Sequence, residues 1–203
     1  VLATALSSLS AAPTRTKPFK TRTSNIDALV YRVLVEAGTV SKTMEDYLYR
    51  DRVGLSVYAK GLLGLALHAT GGRQRLAMVV RNIDQFLQQD DENQTAWLQL
   101  PESTHWWRWY GNEVEANAIY LKLLALTDPN GVRASRLVKY LLNNRRHASY
   151  WNSTRDTSLC IEAMATYLER SGEAKPDVTI EVLIDGKSYK KVRVTSENLF
   201  SFD

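Results

Sequence analysis

The sequence predicts an all-α fold: two concentric layers of alternating inner and outer helices, an α/α toroid or a solenoid segment, followed by a short C-terminal β-hairpin. Three observations predict it. Stretches apolar almost all round, which must be enclosed by neighbours, alternate with stretches carrying one narrow apolar stripe. Glu115 in one enclosed stretch corresponds to Asp156 in the next at a spacing of roughly 41 residues, inside the range of paired-helix repeats. Beyond Pro176 the hydrophobic period changes from helical to two.

Composition bounds the class. A chain of 203 residues fits one domain with a small appendage, and at 44% apolar it can bury a sizeable core. The formal charge of +4 is spread along the chain and demands neither a nucleic-acid nor a membrane partner. The single cysteine, Cys160, excludes an internal disulfide and any multi-cysteine metal site, and on an apolar helix face it reads as a buried structural thiol. The opening residues 1–12 are small and apolar but lack an initiator Met and a basic leader, and they are too few to span a bilayer. The expectation is a piece of something longer, with residues 1–23, including Pro13, Pro18, Arg15, Lys17, Lys20 and Arg22, as an irregular linker.

The helical part is expected over 24–173. Ser24 precedes Ile26, Leu29, Val30, Val33, Leu34 and Ala37, which form the apolar face of a first helix stopped by Gly38. Ser41 caps a shorter helix carrying Met44, Tyr47 and Leu48, which gives way before Gly54. From Leu55 to Ala69 only Ser56, Lys60 and His68 are polar, and Gly71-Gly72 ends that enclosed helix. Leu76, Val79, Val80, Ile83, Phe86 and Leu87 then stripe a wet helix that reaches about Gln88. Val114 to Leu126 repeats the enclosed pattern, and Ala134, Leu137, Val138, Leu141 and Leu142 repeat the stripe. Ser153 or Thr154 caps the last helix, with Asp156 in its first turn and an apolar face of Thr157, Cys160, Ile161, Met164, Ala165 and Leu168. Over 174–203, Val178, Ile180, Val182 and Ile184 form one strand, Asp185-Gly186 a type I′ turn, and Tyr189, Val192 and Val194 a second strand. Two strands alone are marginal, so this tail is expected to belong to a neighbouring β-sheet domain and to pack poorly on the helices.

Several constellations carry competing readings. His105-Trp106-Trp107-Arg108-Trp109-Tyr110 offers an aromatic platform, with Trp106, Trp107, Trp109 and Tyr110 as candidate partner contacts; packing between adjacent helices explains the same rings and is preferred. Glu113, Glu115 and Asp156 admit an enzyme reading, an α/α toroid acting on glycans or isoprenoids through paired carboxylates. Each also sits at a helix N-terminus, where the dipole and free amides suffice to explain an acid. Asp90-Asp91-Glu92 resembles half of a magnesium-diphosphate motif but lacks a further spaced Asp, and reads as a solvated loop. His68, His105 and His147 have no metal-ligand spacing with each other or with Cys160. Arg133, Arg136, Lys139, Arg145, Arg146 and His147 make the most basic stretch, without the interleaved aromatics of a single-strand binder, and read as a solvated face. No catalytic residue, cofactor or metal is assigned.

Two of these stretches carry a resemblance. Trp151, a short gap, Ser153-Thr154, one residue and Asp156-Thr157, running into a helix with a late Tyr167, resembles the last toroid repeat of the thioester-containing domain of the α2-macroglobulin and complement family, particularly its large bacterial members. Glu113-Val114-Glu115-Ala116-Asn117-Ala118 with Tyr120 and Leu123-Leu124 resembles the penultimate inner helix of that domain. The resemblance runs from about Ser24 to the end, with Val178 onward matching the return of the chain to a flanking β-sandwich. It implies a protease trap, in a periplasmic or extracellular protein, whose exposed thioester acylates an attacking protease. The family's Cys-Gly-Glu-Gln type motif is missing here and Cys160 is not its cysteine, so no catalytic residue carries over. By the order of motifs, the thioester and its activating histidine are expected upstream of Val1. The chain is then part of the wall that keeps water from the thioester.

Overall fold

The computed structural model describes residues 21–100, 112–147, 149–173, 176–195 and 197–198. Side-chain caps set where its helices begin. Helix α1 (Asn25–Glu36) starts behind Ser24, whose backbone N and Oγ both donate to the Asp27 carboxylate, at 2.5 and 3.0 Å. In α2 (Lys42–Arg50) Ser41 Oγ accepts from the Met44 amide, and in α3 (Val57–Ala69) Ser56 Oγ accepts from the Ala59 amide. Asn112 Oδ1 caps α5 (Glu113–Thr127) through the Glu115 amide at 2.9 Å. Ser153 Oγ, rather than Thr154, caps α7 (Thr154–Ser171) through the Asp156 amide at 3.1 Å. Helices α4 (Arg73–Asp84) and α6 (Val132–Asn143) follow Gly72 and Gly131 and have no side-chain cap.

These elements make a mostly helical fold with a short C-terminal antiparallel hairpin, β3 (Asp177–Ile184) and β4 (Lys187–Thr195). Helix α1 packs on α3, α3 on α5 and α5 on α7, while α4 lies against α3 and α6 against α5. The core sits in this file. Every residue of α3 from Val57 to Leu67 is buried, and α5 buries Glu115–Leu121 and Leu123–Ala125. Helices α4 and α6 bury one line each: Leu76, Val79 and Ile83, and Ala134, Leu137 and Leu141. Two glycines bring the two most enclosed helices together. A Cβ on Gly61 would stand 2.5 Å from Ile119 Cγ2, and one on Gly64 would stand 2.6 Å from Leu123 Cδ2.

The structure corrects three readings of the sequence. Helix α1 buries Ala28 and Tyr31, whereas Ile26, Leu29, Val30 and Val33 are exposed. Helix α7 buries Asp156, Cys160, Ala163 and Tyr167 and exposes Ile161 and Leu168. In both, apolar residues occupy more than one face, and only the neighbouring helix selects which is covered. Lys60, one of the three polar residues of the enclosed stretch, is itself covered: it is 5% exposed and donates to the carbonyl oxygens of Val53, at 3.2 Å, and Leu55. Finally, α4 ends at Asp84, and Leu87 belongs to a second hairpin, β1 (Leu87–Asp90) paired with β2 (Thr95–Leu98). Its turn forms because Asp90 Oδ1 accepts from the amides of Glu92 and Asn93 and Gln94 takes a positive φ of 54°. Buried Asn117 of α5 anchors β2 by accepting from the Leu98 amide at 2.8 Å.

In the C-terminal hairpin Asp185 and Gly186 have φ of 48° and 76°, the pair of positive values that a type I′ turn requires. Every residue of β3 is exposed.

Candidate functional site at the helix N-termini

Helices α1, α3, α5 and α7 all begin at one end of the molecule. The Ser56 amide in front of α3 donates to Asn25 Oδ1 at the start of α1, at 2.9 Å. Asn112 in front of α5 donates through Nδ2 to Asp156 Oδ1 in the first turn of α7, at 3.0 Å. Arg155, beside Asp156, completes the lacing. Its Nε meets Glu115 Oε1 at 2.9 Å, and its Nη2 donates to the Tyr58 hydroxyl at 3.3 Å. One guanidinium therefore joins the first turns of three successive helices.

The electrostatics suit this role. Glu115 and Asp156 are each 1% exposed, and each occupies the first turn of its helix, where the dipole favours a negative charge. Asp156 Oδ2 is buried without a hydrogen-bond partner. Burial pushes the Tyr58 hydroxyl pKa up, opposed by the Arg155 guanidinium. Burial, helped by the negative charge of Asp156, raises the Cys160 thiol to about 12.

The raised thiol has a measurable consequence. Cys160 is fully buried and its thiol is raised, so a disulfide reagent at pH 8 should label the native chain far more slowly than the unfolded one. Native labelling as fast as labelling in urea would contradict this. The linkage has a definite sign: between pH 9 and 12 the folded chain holds a proton that the unfolded chain has released. Relative to Cys160→Ala, wild-type stability falls by about 1.4 kcal/mol per pH unit in that window.

Of the sequence candidates, Glu113, Glu115 and Asp156 all stand at this end, but only Glu115 and Asp156 enter the lacing. Glu113 accepts from the Tyr140 hydroxyl of α6 instead. Glu115 and Asp156 are each 1% exposed, and Glu115 is held on the Arg155 guanidinium. Asp90 serves its own turn and Asp91 pairs with Arg136 at 2.6 Å. Arg136 and Arg133 are thus cross-ties rather than a solvated face, Arg133 holding Asp84 at 2.8 Å. His147 stacks on Tyr150, with ring centroids 4.5 Å apart. Trp106, Trp107, Trp109 and Tyr110, the candidate partner contacts, lie outside the described residues. Among the described residues no group of three His, Cys, Asp or Glu is arranged to hold a metal ion, and no helix is long and apolar enough to cross a membrane.

Sequence reasoning missed Tyr58, Asn112 and Arg155. One signal was present: the spacing that relates Glu115 to Asp156 also relates the caps Asn112 and Ser153, so the whole first turn recurs. Nothing local marks Tyr58 as the partner of Arg155.

A file of helices laced at their N-termini, with a C-terminal two-stranded hairpin, defines the class: a mostly helical domain. The family model for the A-macroglobulin TED domain matches residues 26–167, most of the chain, and the chain belongs to that family. No curated protein matches it.

Proposed function

We propose that this chain is part of the wall of the thioester-type domain in a macroglobulin-like protease inhibitor, and that it contributes no catalytic residue of its own. The observation that carries the reading is the family match over 26–167 on a file of four helices that start at one end and, among the described residues, expose apolar side chains on its first and last members. In this reading α1, α3, α5 and α7 are inner helices of an α/α toroid, and α2, α4 and α6 are outer ones. The exposed Ile26, Leu29, Val30 and Val33 on α1, and Ile161 and Leu168 on α7, are the seams against further turns of the ring. Residues 24–173 are the toroid portion, residues 1–23 a linker, and 174–203 a strand pair completed by a flanking β-sandwich. The apolar residues left exposed on that pair, Val178, Ile180 and Val182 among them, support this last assignment.

A thioester survives only where water is excluded, and a closed ring against a β-sandwich supplies that exclusion. The trapped proteases are the partners of the whole inhibitor, and its compartment is periplasmic or extracellular. The test is made on the full-length protein, by intact mass and free-thiol titration before and after methylamine. A methylamine adduct with one newly titratable thiol supports a covalent trap. Folded, freshly prepared protein that gains neither adduct nor thiol rules out a thioester mechanism.

A further inference from the structure

At the end of the molecule opposite the laced N-termini lies an open groove of about 520 Å³ between α4 and the C-terminal turn of α5. Its floor is apolar: Leu76, Ala77 and Val80 of α4 face Leu126 of α5. Its rim is cationic. Arg73 and Arg81 stand on the same side of α4, eight residues and therefore about 12 Å apart, with Ala77 and Val80 between them. The two acids of the lining do not neutralise them. Asp84 is occupied by the Tyr120 hydroxyl and by Arg133, which approaches its two oxygens at 3.0 and 2.8 Å, and Asp128 faces the same Arg133 at 3.5 Å. Among the described residues the Arg73 and Arg81 guanidinium groups make no ion pair or hydrogen bond, in a chain whose Arg75, Arg133, Arg136 and Arg155 are all paired.

We infer that this groove docks an acidic amphipathic peptide segment of a partner protein, with Arg73 and Arg81 receiving carboxylates about 12 Å apart and the floor receiving the apolar residues between them. Charge complementarity selects this occupant. An uncharged apolar segment leaves both guanidinium groups unanswered, and a sulfated or phosphorylated ligand leaves the apolar floor uncovered. A helix bearing acids eight positions apart, or a strand bearing them four apart, spans the distance. The docking surface is independent of the toroid reading, and its failure leaves that reading untouched.

The probe is a fluorescein-labelled amphipathic peptide with glutamates eight positions apart and leucines between them, titrated against the full chain by fluorescence anisotropy. Its lysine-for-glutamate counterpart is the control. The expected result is saturable binding of the acidic peptide, at least tenfold tighter than the control. Affinity should fall at least tenfold in an Arg73→Glu, Arg81→Glu double variant and stay within twofold in Lys139→Glu, with helicity by circular dichroism unchanged in both. Should the double reversal not fold, Arg73→Gln and Arg81→Gln are each expected to weaken binding about threefold. No saturable binding, equal affinity for the lysine peptide, or full affinity in the Arg variants overturns the proposal. So does a heparin oligosaccharide that binds at least as tightly as the acidic peptide and depends on the same arginines, because the groove then reads charge alone.

Discussion

Replacing Trp151 by Ala is expected to destabilise the chain by about 3–5 kcal/mol, the range for deleting a buried aromatic ring. Trp151 is 3% exposed, and its Nε1 donates to the Leu141 carbonyl in the last turn of α6 at 2.9 Å. Its backbone amide donates to Thr157 Oγ1 in the first turn of α7 at 3.1 Å. One residue therefore fills the corner between two helices and satisfies a carbonyl that the end of α6 leaves open. Trp151→Phe separates the two contributions. It keeps most of the ring and strands the Leu141 carbonyl, at an expected cost of about 1–3 kcal/mol. Urea unfolding monitored by circular dichroism measures both. A loss below about 1 kcal/mol for Trp151→Ala would mean that the corner holds without the ring.

The second large effect is expected at Arg155. Its side chain is 43% exposed while Glu115 is 1% exposed, so solvent reaches the cation but not its partner. Breaking a fully buried pair costs about 3–5 kcal/mol, and the exposed guanidinium reduces this to about 2–3 kcal/mol for Arg155→Ala. Glu115 keeps its place in the first turn of α5, where the helix dipole still favours its charge. A double-mutant cycle with Glu115→Gln isolates the pair, with an expected coupling of about 1–2 kcal/mol. Coupling below about 0.5 kcal/mol would reduce the lacing to an ordinary surface contact. Because Arg155 also reaches Tyr58, the single Arg155 variant should lose more than the coupling with Glu115 accounts for.

Much of the fold is legible in the sequence, for local reasons. Ser24, Ser41 and Ser153 cap helices because a hydroxyl beside unpaired amides forms its bonds within three or four residues of itself. Asp185-Gly186 turns the last hairpin because both residues tolerate positive φ. The enclosed character of α3 and α5 is legible because an apolar surface on every side admits one solution. Helices α1 and α7 lack that uniqueness. The residue set headed by Ile26 and Leu29 has a helical period, and so does the set of Ala28 and Tyr31 that the structure buries. Periodicity alone does not choose between them. The stretch from Phe86 to Leu98 misleads for a related reason: Leu87 extends the stripe of α4, while the turn at Asp90 and the buried Asn117 of α5 draw it into a strand.

The candidate site divides along the same line. Its acids and caps were visible as first-turn residues with a recurring spacing. Their partners were not. Arg155 meets Tyr58 across 97 residues of chain and Asn112 meets Asp156 across 44, contacts that exist only once the helices lie side by side. By itself the sequence determined where most helices start and stop, which of them are enclosed, and where the last hairpin turns, because dihedral preferences and caps act over single turns. The tertiary structure decided which faces of α1 and α7 meet neighbours, the β1–β2 pairing and the burial of Lys60. It also decided that one arginine ties three helices, because burial and ion pairing draw their energy from groups that the chain brings together only by folding.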